Sequence, residues 1–529
     1  MRLSTAQQMR EIDETAIEEI GIPGVKLMET AGRSVAEVAA DYLGEVERKR
    51  VIIFCGKGNN GGDGFVVGRY LTEWGAKVEC FLLGKKTEIR GDAQVNLERA
   101  ERMGIAVAEI DSAEQLDPEL QADLLVDGIF GTGFKGEIGG EIGRVVEKLN
   151  RLETLKISID TPSGLDCDTG KAASNCFRAD VTVTLALPKL GQLVFPGKSH
   201  CGRIYVADIG MPREAVDDAE IQLNVLTPSE VTSMLPKRPP DGHKGTFGKL
   251  LVIAGSVGMT GAAILTSLSA LKAGCGMVIL GCPASLNDIF ESKMTEVMTK
   301  PLPEVRKKRV LAKRSLGEIR QLLKWADTVA LGPGLGQHFE TVELVQRFVA
   351  TLKHPVVIDA DGLNALAKSV EILRNRKTPT IITPHVGELS RLIGYSIDVI
   401  EANRIQIARE TARNFGLILV LKGAPTIIAE PGEEVWINPT GNDAMATAGC
   451  GDVLTGVIAS CLTQGMKPLE AAVCGVYIHG LAGDLAAGDR GHFGTIAGDI
   501  MEMVPEAITE IQAEETTAAD KIKLLTPCK

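Results

Sequence analysis

Short apolar runs, most of them closing on a glycine or an acidic residue, recur along this chain and are separated by stretches with helical spacing. In the first half they lie at 51–55, 77–83, 105–110, 123–126, 156–160 and 181–187. In the second half they lie at 249–254, 277–281, 328–331, 356–359, 380–383 and 417–421. Runs of β-branched and aliphatic residues this short, alternating with helices, predict mainly parallel sheets covered on both faces, an α/β architecture.

A chain of 529 residues is too long for a single core. The alternation is interrupted by "LPKRPPDGHKGTFG", where Pro236, Pro239 and Pro240 cannot sit inside regular structure. The expected division is a first domain over 1–213, a linker over 214–228, a second domain over 229–505 and a polar tail over 506–529. Ser4 with Gln7 has the form of a capping box for the first helix, whose Met9, Ile12 and Ala16 share one face.

The net charge of −12 argues against unspecific binding to nucleic acid or to an anionic membrane. Aromatic content of 4% offers no stacking platform for bases. The 11 cysteines are scattered, with no CxxC pair and no zinc spacing, which is the pattern of free thiols in a reducing compartment. The N-terminus has no apolar signal core, and no run of about 18 apolar residues occurs, so no membrane span and a cytoplasmic location are expected.

The stretch "GKGNNGGDG" (56–64) follows the first apolar run and matches G-x-G-x-x-G, as does "GTGFKG" (131–136). The dinucleotide fingerprint also needs an acid at the end of the next strand, and the candidate Glu79 falls inside that strand. An ordinary Rossmann cofactor site is therefore not indicated, and no Walker A signature is present. Strand-end glycines before a helix nevertheless expose N–H groups at the positive end of a dipole, a place for phosphate. Two such loops at adjacent strand ends would suit the two phosphates of a dinucleotide; the plainer alternative is a pair of tight turns. Asn59, Asn60 and Asp63 add polar groups that a turn does not need. Asp127 and Asp160 each end a strand, so Asn60, Asp127, Asp160 and Ser163 are placed to converge. Oxygen donors of this kind suit a hard cation or a proton-transfer pair, and spacing does not choose between them.

In the second half, "NPTGNDAMATAGCGDVLTGVIASCL" (438–462) brings Gly449, Cys450, Gly451 and Asp452 to the start of a helix. Its N–H groups would form an anion hole with Asp452 beside the developing charge, placed to deprotonate a hydroxyl attacking a phosphoryl group. A glycine-flanked aspartate is otherwise an ordinary N-cap. The neighbouring strand ends favour the first reading. "LKGAPTIIAEP" presents Lys422 and Gly423 before Thr426, a place for nucleotide phosphates, and "ALGPGLG" is a second glycine-rich end. "VVIDADGLNAL" supplies Asp359 and Asp361, and "TPHVGELSRL" supplies His385 and Glu388, three apart and facing one way. Glu388 or Asp361 is a candidate to hold Mg²⁺ through water.

"KLMETAGRSVAEVA", "GKGNNGGDGFVVGRYL", "VDGIFGTGFKG" and "SIDTPSGLDCDTG" resemble the N-terminal domain of the NAD(P)H-hydrate repair enzymes over about 9–213. "KGTFGKLLVIAGSVGMTGAAILTSLSALKAGCG" and the second-half motifs resemble their C-terminal dehydratase over about 229–505. The resemblance implies a Rossmann-like three-layer epimerase domain followed by a ribokinase-like α/β domain. The first would interconvert the R and S hydrates of the reduced nicotinamide dinucleotide. The second would phosphorylate the S-hydrate from ADP (ATP in eukaryotic members) and eliminate phosphate to restore NADH or NADPH.

By motif position, Asn59, Asn60, Gly61, Gly62 and Asp63, with Gly131, Thr132, Gly133, Phe134, Lys135, Gly136 and Glu137, would contact the hydrate in the epimerase. Asp160 would sit at that substrate as the acid/base, and Asn60, Asp127 and Ser163 would bind potassium. In the dehydratase, Ala262, Gly334 and His385 would contact the hydrate and Asp452 would be the base. Lys422, Gly423, Ala424, Pro425, Thr426 and Gly451 would bind the nucleotide, with Mg²⁺ as its companion. Ala448 and Cys450 stand where the family pattern leads one to expect glycine and a small hydroxyl residue. The expected partners are NAD(P)H hydrates and ADP, with no nucleic acid or membrane, in a homo-oligomer. The competing reading is a ribokinase-like kinase of a small vitamin precursor fused to a non-catalytic dinucleotide-binding module.

Overall fold

A computed structural model describes residues 1–117, 120–513 and 522–525. The chain forms two compact units, divided between Leu223 and Asn224.

The first unit is built on seven parallel strands: β1 (Arg50–Cys55), β2 (Lys77–Leu83), β3 (Ala106–Ile110), β4 (Leu124–Gly128), β5 (Leu155–Ile159), β6 (Val181–Leu185) and β7 (Arg203–Ala207). Their order is β7-β6-β5-β4-β1-β2-β3. β1 is almost wholly buried along its length, because helices cover both faces. Val51, Ile53 and Cys55 pack against the helices Gly24–Leu43 and Asn59–Glu73. The strand order reverses between β1 and β4, so the loops leaving these neighbours diverge and open a crevice at their carboxyl ends.

The second unit carries β8 (Leu223–Val225), β9 (Lys249–Ile253), β10 (Met277–Pro283), β11 (Met298–Leu302), the hairpin pair β12 (Glu304–Val305) and β13 (Val310–Leu311), and β14 (Thr328–Leu331). It continues with β15 (Val356–Ile358), β16 (Thr380–Ile382), β17 (Ile418–Leu421), β18 (Ile427–Ala429) and β19 (Val435–Ile437). The main sheet runs β11-β10-β9-β14-β15-β16-β17-β18-β19-β8, parallel from β11 to β17 and antiparallel through β18 and β19. Its strand order also reverses beside β9, at β14. The helix Pro468–Arg490 is long and apolar enough to cross a membrane by length and composition, and it packs inside this unit's core.

Several expectations need correction. The first helix is capped by Thr5 with Gln8, not by Ser4 with Gln7; Ser4 is buried and bridges Lys189. The segment 214–228 is not a bare linker. It holds most of the helix Arg213–Asp218, then β8, then the Thr227–Glu230 capping box that opens the helix Pro228–Met234. The polar tail begins later than 506, because the helix Ala497–Ala513 keeps its apolar face with Val504, Ala507 and Ile511 buried. Beyond it, β20 (Ile522–Leu524) pairs antiparallel with β7 as part of the first unit. The rest of the expected tail, 514–521 and 526–529, lies outside the described residues. The ten described cysteines are all free and buried.

Candidate active sites

In the first unit the crevice beside β1 and β4 holds the residues singled out above. The helix Asn59–Glu73 starts directly after the β1 loop, placing Asn60 beside the loop that follows β4. Asn60 Nδ2 donates to the Phe130 carbonyl at 2.9 Å. Asp127, fully buried at the end of β4, accepts from Ser163 Oγ at 2.6 Å, Ser163 N at 2.8 Å, Ser158 Oγ at 3.0 Å and Ile129 N at 3.2 Å. Burial pushes its pKa up, against the pull of these donors. Ser163 Oγ also accepts the Phe130 N–H at 2.9 Å, so Asn60 and Ser163 meet at Phe130 in the loop after β4, with Asp127 bound to Ser163 behind them.

Most glycines of the 56–64 stretch serve packing. A Cβ on Gly56 would lie 1.9 Å from the Ile129 carbonyl oxygen, and one on Gly61 would lie 2.0 Å from that of Gly56. Gly62 and Gly64 are closed less tightly, a Cβ lying 2.7 Å from Met28 Sδ and 2.8 Å from Cys55 Sγ. At Gly58 and Gly133, in contrast, a Cβ would meet nothing within 4 Å. The loop from Gly131 and Thr132 through Glu137 is largely open to solvent, with Gly131 against Asn60. Lys135 pairs with Asp168 at 3.3 Å, and Glu137 accepts from Ser174 N and Oγ at 2.9 and 2.8 Å. Both charged side chains of this loop therefore already have protein partners.

Asp160, at the end of β5, is a non-glycine residue at φ +60° and is 9% exposed. Its Oδ1 accepts from Leu185 N at 3.0 Å, from Thr184 Oγ1 at 3.2 Å and from the buried ammonium of Lys189. Among the described residues no donor reaches Oδ2. Asp63 is buried, and burial, then Asp160 and Asp13, push its pKa well up. Asp13 is pushed up to about 6 by burial and by Asp160, with Lys189 opposing. Lys189 and Asp13 were not anticipated from the sequence. Their one sequence signal is a lysine just past a strand end, in "ALPKLG".

In the second unit the ends of β14, β15, β16 and β17 and the helix Cys450–Thr463 converge. Gly449, at φ +97°, turns the chain into that helix, where the first N–H groups lack intrahelical partners. Lys422, at the end of β17, donates to Asp359 at 2.6 Å and lies 3.7 Å from Glu388. A Cβ on Gly451 would be 3.3 Å from Lys422 Nζ, so the ammonium sits against the helix start. Burial pulls its pKa down, but Asp359 and Glu388 outweigh this and leave it raised. Thr455 Oγ1 donates to the other Asp359 oxygen at 2.8 Å. Asp452 is pushed up to about 7, first by burial and then by Asp359, with Lys422 opposing. Cys450 is buried and its thiol is pushed up, so it adds no charge to the helix start.

Gly334, at φ +63°, packs where a Cβ would lie 3.1 Å from that of Ala262, which brings two of the expected hydrate contacts together. His385 caps the helix Val386–Ile393; its N–H donates to Glu388 Oε2 at 2.9 Å and its ring Nε2 is 3.5 Å from Oε1. Asp361 is bound by a neighbouring loop. It accepts from Gly336 N at 2.8 Å and Gln337 Nε2 at 2.7 Å, which ties it to the glycine-rich loop after β14. Among the described residues no group of three or more His, Cys, Asp or Glu is arranged to hold a metal. Sequence reasoning also missed Arg404. Its Nη2 donates to the carbonyls of Pro425, Lys422 and Leu421 at 3.1, 3.3 and 3.4 Å, fixing the loop that carries Gly423, Ala424, Pro425 and Thr426.

Residues 24–191 match the YjeF-related protein N-terminus family, and residues 250–506 match the NAD(P)H-hydrate dehydratase family. The chain is 44% identical over 522 residues to a bifunctional NAD(P)H-hydrate repair enzyme of Moorella thermoacetica, covering 98% of both chains. It is 40% identical over 530 residues to that of Thermofilum pendens, covering 99% of this chain and all of the relative. Among solved structures, the ADP/ATP-dependent NAD(P)H-hydrate dehydratase of Bacillus subtilis, co-crystallised with ATP and Mg²⁺, is 32% identical over 54% of this chain and 98% of its own, at a TM-score of 0.48. Matched from end to end by such relatives, with a Rossmann-like unit joined to a ribokinase-like one, the chain belongs to the family of bifunctional NAD(P)H-hydrate repair enzymes.

Proposed function

We propose that the first unit epimerises the R and S hydrates of NADH and NADPH at Asp160, and that the second dehydrates the S-hydrate at the expense of ADP with Asp452 as base. The observation that carries the reading is the placement of Asp452. It is a carboxylate with a pKa of about 7 in the first turn of a helix, beside a buried lysine already neutralised by Asp359. A base poised near the working pH combines ready ionisation with proton affinity.

In the dehydratase, Asp452 takes the ring hydroxyl's proton as that oxygen attacks the terminal phosphoryl group of ADP. The helix N-terminus and Lys422 favour the negative charge that develops there. Phosphate then leaves from a carbon that would not release hydroxide, and loss of the neighbouring ring proton restores the double bond. Ala262, Gly334 and His385 would line the hydrate, and the Arg404-bound loop with Lys422, Gly423, Ala424, Pro425, Thr426 and Gly451 would face the nucleotide. Mg²⁺ in phosphoryl transfer neutralises charge on the phosphates and usually keeps several waters. Glu388, which caps its helix beside Lys422, and Asp361, tied to the 336–337 loop, would hold it through those waters.

In the epimerase, the free Oδ2 of Asp160 would accept the hydroxyl proton as the carbon–nitrogen bond of the hydrated ring opens to an aldehyde. The electron pair stays on nitrogen, conjugated with the ring carboxamide. Reclosure on the other face, with the proton returned to oxygen, gives the other epimer. Asn60, Asp127 and Ser163 supply amide, carboxylate and hydroxyl oxygens, a donor set that fits potassium, and a cation there would favour nearby dinucleotide phosphates. Asn59, Gly131, Gly133 and the rest of the 131–137 loop would contact the dinucleotide.

The test is to follow reduced-nicotinamide absorbance with pure S-hydrate, ADP and Mg²⁺. The native chain should restore it and release inorganic phosphate, and Asp452→Asn should not. Accumulation of a phosphorylated substrate without reduced nicotinamide would instead support the small-molecule kinase.

A further inference from the structure

The carboxyl end of the first unit's sheet pairs Asp160 with the ammonium of Lys189, and two further carboxylates, Asp13 and Asp63, lie near enough to feel the charge of Asp160. Lys189 has no exposed surface. Its three ammonium N–H donors meet three acceptors: Asp160 Oδ1, Thr184 Oγ1 at 3.1 Å and the Leu185 carbonyl at 3.0 Å. An ammonium so satisfied has no free N–H to offer a substrate.

The lysine is itself fixed by its surroundings. Ser4 N donates to the Pro188 carbonyl at 3.0 Å, which seats the N-terminal segment along this turn. Gln192 accepts the Lys189 backbone N–H on its side-chain oxygen at 2.9 Å and donates through Nε2 to the Asp160 carbonyl at 2.6 Å. One glutamine side chain therefore spans the backbones of both members of the pair. Asp160 sits at φ +60°, a left-handed conformation that a non-glycine residue adopts only when its surroundings enforce it. Lys189, Leu185 and Thr184 saturate Oδ1, while Oδ2 meets no donor among the described residues.

Resting on the reading that Asp160 is the proton acceptor of the epimerase, we propose that Lys189 is its positioning residue: it anchors Oδ1 of Asp160, so that Oδ2 alone faces the hydrate. The lysine's charge is then assigned by contact to one of three carboxylates. Burial pushes the pKa of both Asp63 and Asp13 up, and Asp160 adds to the rise in each. The structure thus separates a touching ion pair, Lys189 with Asp160, from two acids that carry no partner ammonium of their own among the described residues.

The test compares Lys189→Met, Lys189→Arg, Asp160→Asn and the double variant Lys189→Met/Asp160→Asn in the full chain. Epimerisation is read as conversion of R-hydrate in the presence of excess ADP and Mg²⁺, with dehydration of pure S-hydrate reporting the second unit. Lys189→Met is expected to lower the epimerase kcat about 100-fold with KM changed less than about two-fold, and Lys189→Arg to recover part of the loss. The double variant removes both buried charges, so it keeps the fold even if Lys189→Met alone does not, and it is expected to epimerise no more slowly than Asp160→Asn. A double variant markedly slower than Asp160→Asn, or a Lys189→Met loss confined to KM, would overturn the positioning role. Full activity in Asp160→Asn would overturn the Asp160 reading and the role of Lys189 with it.

Discussion

Lys422 donates to Asp359 at 2.6 Å while lying against the first turn of the helix that carries Asp452. The pair places a buried positive charge next to the proposed base without letting the two form a contact pair of their own. Burial and Asp359 raise the Asp452 pKa to about 7, and Lys422 lowers it. Dehydration should therefore fall about ten-fold for each pH unit below an acid limb near 7. Lys422→Met removes the lowering charge, so the limb should move to higher pH. A pH profile of kcat/KM with pure S-hydrate checks both statements.

The same shift has a stability consequence of opposite sense to its catalytic use. A carboxyl whose folded pKa is raised from 3.8 to about 7 favours the folded state while protonated in it. That contribution is present below about pH 3.8 and is lost as pH rises through 7. Asp452→Asn should accordingly stabilise the second unit at pH 8, on the order of 1–3 kcal/mol, with the gain vanishing towards pH 4. Denaturation midpoints at the two pH values measure it.

The glycines of the first loop divide into two kinds. Gly56→Ala and Gly61→Ala would each force a Cβ to about 2 Å from a backbone oxygen and should cost the first unit roughly 2 kcal/mol or more. Gly58→Ala and Gly133→Ala meet nothing and should leave the fold unchanged. If the open positions face the dinucleotide, these two variants should raise the epimerase KM while thermal unfolding stays at the native midpoint.

Arg404 reaches three carbonyls of the 421–425 segment, and among the described residues its one ion-pair partner is Glu401, at 3.2 Å. Arg404→Ala should release the loop that faces the nucleotide. The expected result is a several-fold rise in KM for ADP with a smaller effect on kcat, measured at saturating S-hydrate.

The central parallel strands were legible because a strand buried on both faces must be a near-continuous apolar run. β2 spans 77–83 as expected, and β1 and β17 differ from expectation by a single residue. The edge strand β3 was legible as well, but several other outer strands were not. β11, "MTKPL", exposes most of its side chains and contains a proline, so neither composition nor alternation marks it. β7, with its alternating burial, and the short β18 and β19 were likewise unmarked. In the sites, acids that end strands stood out: Asp127, Asp160 and Asp359 are all buried where the runs stop. Of their cations, Lys422 stood out as a strand-end lysine but its pairing with Asp359, 63 residues away, did not, and Lys189, 29 residues from Asp160, was missed altogether. The glycine-rich stretch was read mainly as room for phosphates, whereas Gly56 and Gly61 are required by backbone contacts that only the folded sheet creates.

The most direct test supplies a prepared mixture of R- and S-hydrates to the native chain, Asp452→Asn and Asp160→Asn, with ADP, Mg²⁺ and potassium, and follows reduced-nicotinamide absorbance. The native chain should recover the whole mixture faster than spontaneous epimerisation allows. Asp452→Asn should recover almost nothing, and Asp160→Asn should recover the S fraction promptly and the R fraction only at the spontaneous rate. Prompt recovery of the whole mixture by Asp160→Asn, or undiminished recovery by Asp452→Asn, would contradict the assignment of one aspartate to each reaction.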